Sequence, residues 1–142
     1  LKELFTGIKR VYDSTSGSTL RGLSNGMFVG RAPGTSGQFV TLTEPAAATD
    51  WSITQGLSTS VGGRYEDITV DFHCWTPKRD PEQAYDVADA VRSLYDNKIF
   101  GLANSSYTVL HAIRQTPGIP IEEPDDKGWQ VVVSYGYRLG RT

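Results

Sequence analysis

The sequence predicts an α+β domain: a mostly antiparallel sheet of about five strands, with an N-terminal helix and a second helix packed on one face. Three observations predict it. The stretch YEDITVDFHCWT, Tyr65 to Thr76, alternates apolar and polar residues over a full strand length. Directly behind it, PEQAYDVADAVRSLY, Pro81 to Tyr95, has the apolar spacing of an amphipathic helix and a proline at its first position. Two more alternating stretches follow, YTVLHAI from Tyr107 and WQVVVSYGYRL from Trp129. Strands with a helix between them, and one apolar face each, bury that face by layering helix on sheet. With 142 residues, positions 1–142 form one domain large enough for a real core.

The first helix is expected over residues 2–13, where Leu4, Ile8, Val11 and Tyr12 recur at helical spacing beside Phe5. The run DSTSGST from Asp13 ends it, with Gly17 suited to a turn or C-cap. Residues 14–25 carry little periodicity. A short strand is expected from Met27 (MFVGR), then a hairpin turn through APGTSG, then a strand from Gln38 to Glu44. In that strand Phe39 and Thr41 face one way and Val40 and Leu42 the other.

Residues 45–64 form a long, polar, small-residue excursion holding Trp51, Ile53, Leu57 and Val61. It reads as a protruding hairpin or a loop, with pairing across Gly56 as one arrangement. In the Tyr65 strand, Ile68, Val70, Phe72 and Cys74 share one face. Asp67, Thr69, Asp71, His73 and Trp75 share the other, which suits a neighbour or a channel better than a core.

Pro77 stops the strand, and Asp80, Pro81 and Gln83 predict a capping box with proline at the first helical position. Ala84, Val87, Ala88, Val91, Leu94 and Tyr95 form the apolar stripe, while Asp86, Asp89, Arg92 and Ser93 face outward. The expected core is Ile68, Val70, Phe72, Val87, Val91, Leu94, Val131 and Val133. The Tyr107 strand alternates Val109, His111 and Ile113 against Leu110 and Ala112. Residues 116–128, TPGIPIEEPDDKG, read as an acidic turn region. The last strand sets Trp129, Val131, Val133, Tyr135 and Tyr137 opposite Gln130, Val132, Ser134 and Arg138.

Composition narrows the function. Charged residues are 21% and the formal net charge is −2, which lends no support to a nucleic-acid-coating role. No stretch approaches the length of a membrane-crossing helix, so no membrane partner is expected. The single cysteine, Cys74, forbids an internal disulfide and reads as a buried hydrophobe.

Catalytic patterns are missing. GRAPGTSG from Gly30 has the glycines of a phosphate loop but lacks its Gly-Lys-Ser/Thr end and following helix. His73 and His111 with Asp67 or Asp71 fall short of a metal signature, and Glu122, Glu123, Asp125 and Asp126 lack the ligand spacing of a calcium loop. Ser105 and Ser106 sit in no nucleophile elbow. No cofactor or metal is expected. The acidic cluster reads as a solvated loop or an acidic lining.

The order of elements resembles the tail terminator, or tail completion, proteins of long-tailed bacteriophages and related minor tail proteins. The resemblance runs through the helix ending VYD at Val11, QFVTLTEP, the strand ITVDFHCWTP from Ile68 and the helix PEQAYDVADAVRSLYDN. It continues through YTVLHAIRQ, the acidic turn EEPDDKGW and the exit strand VVVSYGYRL. It implies a virion protein without enzymatic activity, assembled in the host cytoplasm into a ring commonly of six subunits. The ring would cap the tail tube, join it to the neck or head completion protein, and let DNA pass without specific binding. The longer excursion at 45–64 departs from the family pattern.

A closed ring repeats one heterologous contact, so each subunit needs two different adhesive patches. Trp51, Ile53, Asp71, His73 and Trp75 are the expected subunit or ring contacts, and Glu122, Glu123, Asp125 and Asp126 the expected acidic lumen or rim. A head–tail connector or neck component is the nearest rival; a ligand- or peptide-binding module comes next, and an enzyme last.

Overall fold

The computed structural model describes residues 2–31, 37–43, 49–51, 65–102, 107–123 and 128–141. The elements run α1 (Lys2–Asp13), a 3-10 turn (Thr15–Gly17), α2 (Ser18–Leu23), β1 (Met27–Val29), β2 (Phe39–Thr43) and β3 (Thr49–Trp51). They continue through β4 (Tyr65–Thr76), α3 (Glu82–Tyr95), β5 (Tyr107–Arg114), β6 (Ile119–Glu122) and β7 (Trp129–Arg141).

Two long strands, β4 and β7, pair antiparallel from Tyr65↔Gly140 to Thr76↔Trp129 and form the centre of the sheet. Each carries two short strands on its outer side. Level with the end of β4, one row crosses Met27, Val40, Cys74, Val131 and Pro120, so β1 and β6 are its opposite edges. Toward the start of β4, β3 pairs by Thr49↔Ile68 on one side, and β5 pairs with β7 by Ala112↔Tyr137 on the other. Seven segments thus make a sheet about five strands wide at its broadest, antiparallel except for β1 beside β2.

Period-two alternation decides the two faces. Ile68, Val70, Phe72 and Cys74 of β4 and Val131, Val133, Tyr135, Tyr137 and Leu139 of β7 all point to the helices and are buried. Leu4, Ile8, Val11 and Tyr12 of α1 and Ala84, Val87, Ala88, Val91 and Tyr95 of α3 cover them. Two alanines on α3 allow the helix to approach the sheet closely. Phe72 packs against Tyr95 at 4.9 Å and edge-on to Tyr135 at 5.3 Å, contacts worth about 0.5–1.5 kcal/mol each beyond their burial. The Tyr95 hydroxyl donates to the Ile8 carbonyl at 2.8 Å, tying α3 to α1.

Several sequence expectations need correction. The segment between β1 and β2 is no hairpin: the strands are parallel, Met27↔Val40 to Val29↔Leu42, so the chain must return to the sheet in the same direction. Residues 18–23 form a short helix that periodicity misses because only Leu20 in it is buried. Gly17 lies within the 3-10 turn, where a Cβ would stand 2.1 Å from the Tyr12 carbonyl oxygen.

Half of the expected capping box forms. Asp80 Oδ1 accepts the Glu82 amide at 2.8 Å, but Gln83 spends its side chain on Gln38. Leu94 is only partly buried. A bulge between Val109 and His111 breaks the alternation of β5, so Val109 and Ala112 both reach the core. The supposedly turn-like acidic segment contains β6, whose Pro120 hides it as a strand. Gly128, at φ +116°, passes so close to β4 that a Cβ there would lie 2.0 Å from the Thr76 carbonyl oxygen. Of the 45–64 excursion, Thr49–Trp51 pair with β4, and residues 45–48 and 52–64, Ile53 included, lie outside the described residues.

Candidate functional site

The second face of the sheet carries no helix among the described residues. By register it presents Phe39, Thr41 and Thr43 of β2 and Asp67, Thr69, Asp71, His73 and Trp75 of β4. Beside them stand Gln130, Val132, Ser134, Gly136 and Arg138 of β7, His111 and Ile113 of β5, and Ile119 and Ile121 of β6. This is the face on which the sequence places Asp71, His73 and Trp75, and the structure brings those three side by side.

The centre of this face is a self-satisfied polar network. Gln130 Nε2 donates to Glu123 at 2.7 Å, so Gln130 Oε1 accepts from His73 Nδ1 at 2.7 Å. His73 Nε2, 2.8 Å from Thr43 Oγ1, then accepts the threonine hydroxyl. The imidazole tautomer and the amide orientation follow from that chain. Trp75 Nε1 donates to Thr41 Oγ1 at 3.0 Å, and Ser134 donates its hydroxyl to Asp71. Trp75 stacks between Phe39, with ring centres 5.8 Å apart, and His73, at 6.3 Å. At the far end Arg138 grips Asp67 with two nitrogens, at 2.7 and 2.8 Å, and this hydrogen bonding holds the Asp67 carboxyl below the usual carboxylate range.

Two hollows flank the network. One is lined by Thr69, His111, Ile113, Gln115, Gly136 and Arg138. The other is lined by Gly30, Arg31, Phe39, Thr41 and Trp75, at the β1–β2 edge. At the opposite edge, Ile113, Ile119 and Ile121 are exposed by 53%, 50% and 43%, a row of aliphatic side chains facing solvent.

The chemistry available here is limited. Thr43 and His73 stand at the separation of a nucleophile–base pair, but on a strand surface where the backbone N–H groups of β2 and β4 serve the sheet. The backbone N–H groups of β2 and β4 therefore supply no convergent pair of donors for a developing oxyanion beside it. Among the described residues no three His, Cys, Asp or Glu side chains come together as metal ligands. Cys74 is fully buried, and burial pushes its thiol up to about 12.

Of the expected contact residues, Trp51 lies on β3 opposite Glu66, at the start of β4. Glu122 ends β6, and Glu123 follows it within the polar network. Asp125 and Asp126 lie outside the described residues. The aliphatic row escapes sequence reasoning because Pro120 hides β6, and because the bulge in β5 puts Ile113 on the face opposite Val109 rather than beside it.

No family model matches the chain, and no curated protein does. Solved structures do. A chain of the virion of a native gene transfer agent particle superimposes with a TM-score of 0.67 at 13% identity, covering 95% of this chain and 96% of that one. A second solved chain, without a functional description, gives a TM-score of 0.52 at 11% identity over 99% of this chain and 94% of its own. At such identities the likeness shows a shared fold, and it spans both partners nearly end to end.

Proposed function

We propose that this chain is a non-enzymatic structural protein of a phage-like virion, and within it the subunit of a ring that caps the tail tube and joins it to the neck. The observation that carries this reading is the end-to-end likeness to a chain of a gene transfer agent virion. The face that carries no helix among the described residues supports it. The polar groups at its centre, Thr43, His73, Gln130 and Glu123, are engaged with each other, which suits a surface meeting protein neighbours better than one built to bind or transform a small substrate. Tail tube and neck proteins are the partners this reading names.

The test is to purify particles from a producer with and without the gene. Mass spectrometry of intact particles should find the protein, and electron micrographs with a labelled chain should place it where tail meets head. Without the gene, tails of uncontrolled length or heads without joined tails are expected. Absence of the protein from purified particles overturns the reading. A label on the head side of the joint, with tails of normal length, replaces the ring cap with a neck component.

A further inference from the structure

We infer that the two lateral edges of the β1–β6 row are complementary halves of one contact between copies of this chain. The exposed aliphatic, acidic edge at β6 of one copy packs against the Arg31–Phe39–Trp75 hollow at the β1–β2 edge of the next. This inference rests on the ring reading and supplies the contact that such a ring would repeat.

The two edges are opposite ends of a single row through Met27, Val40, Cys74, Val131 and Pro120. A copy displaced sideways along that row and turned by one step of the ring brings β6 to β1. The edges differ in character. On β6, Ile119 and Ile121 project to solvent, with Glu122 and Glu123 at the strand's end. On β1–β2, Arg31 and the stacked pair Phe39 and Trp75 line a hollow. From Ser24 to Thr43 Arg31 is the one charged residue, so that edge is basic where the other is acidic. Apolar meets aromatic, and acid meets base. Because the patches differ, the contact is head-to-tail and can close into a ring, whereas two copies meeting by the same edge would oppose like charges.

The joint is made by side chains. The Glu123 amide donates to the Gly128 carbonyl at 2.9 Å, so antiparallel alternation makes Ile121 and Ile119 the residues bonded to β7. Pro120 therefore turns its nitrogen outward, and of the outward positions of β6 only Glu122 retains an N–H for a continuing strand. Backbone pairing between copies is blunted there, and the aliphatic side chains remain as the adhesive element.

The experiment uses single cysteines on the two edges, Val29→Cys on β1 and Ile119→Cys on β6, with a short bismaleimide on the purified full chain at raised concentration. Cys74 stays silent because it is buried. A mixture of the two single variants should yield crosslinked dimers and nothing larger, and the double variant a ladder of multimers. Arg31→Glu, in the double variant, should abolish the ladder while the melting temperature holds. No crosslinks, or crosslinks within either single variant alone, overturn the inference. Failure of the ring reading shows separately, as absence of the protein from purified particles.

Discussion

Tyr95 and Tyr137 bury the same hydroxyl with opposite consequences. The Tyr95 hydroxyl donates to the Ile8 carbonyl, whereas Tyr137 Oη is buried with no hydrogen-bond partner among the described residues. Burial raises the pKa of both phenols well above the ordinary value, so both stay protonated. Tyr95→Phe should therefore cost about 1 kcal/mol, the usual net worth of a hydrogen bond. Tyr137→Phe should leave stability unchanged or raise it, because it removes an unsatisfied group. Urea unfolding of the two variants decides; an equal loss in both would mean that Tyr137 has an unseen partner. Asp67 gives a pH prediction. Its pKa is depressed by Arg138, so the pair stabilises the fold above the unfolded carboxylate value near ~4 and ceases to do so as pH falls through the lower folded value. The pair is partly exposed, so Asp67→Asn should cost only a few tenths of a kcal/mol, ~0.2–1, at neutral pH. The gap between variant and parent should close on acidification below pH ~4; a gap that widens there would contradict it.

At the scale of elements, α3 on the β4–β7 pair is the contact that defines the core. Val91 is fully buried in it. Val91→Asp places a carboxylate without a partner there, at a cost of several kcal/mol, roughly a domain's whole stability. Loss of the cooperative thermal transition is expected, and unchanged melting would mean that the stripe is misassigned. Those elements are legible in the sequence because each has a strong period and a face that must be buried. Ile68, Val70 and Phe72 alternate strictly, and Val87 and Val91 recur at helical spacing. What is illegible lacks that signal. β6 carries Pro120 and ends in acids, and it is a strand because β7 pairs with it. α2 buries little, and β1 runs parallel to β2 although the residues between them read as a hairpin turn. The open face is half legible. Alternation puts Asp71, His73 and Trp75 together, but the partners of His73, Thr43 and Gln130, depend on a register that no local pattern encodes. Their service as contacts is a proposal, as is that of Trp51 and Ile53.

At the scale of the whole molecule, the small net charge of −2 conceals an uneven distribution that makes association testable by salt. Glu122 and Glu123 stand at the β6 edge and Arg31 at the opposite one. Asp125 and Asp126 belong to the same acidic stretch. Charges at an exposed joint attract over about 10 Å at 0.1 M salt and less as salt rises. Self-association should therefore weaken with ionic strength, leaving an aliphatic–aromatic remainder that salt does not screen. Substituting Glu122 and Glu123 by Gln, and Asp125 and Asp126 by Asn, should spare the fold: a glutamine at 123 keeps an oxygen for the Gln130 amide. The same variant should associate more weakly at low salt and show almost no further salt dependence, as read by sedimentation across an ionic-strength series. Two other results carry meaning. If the variant associates like the parent but retains DNA at low salt, the acids face a channel, where they would deny DNA its phosphate contacts. If calcium or zinc raises the melting temperature of the parent and not of the variant, the acids form a metal site and the edge contact must draw its specificity from Ile119, Ile121, Phe39 and Trp75 alone.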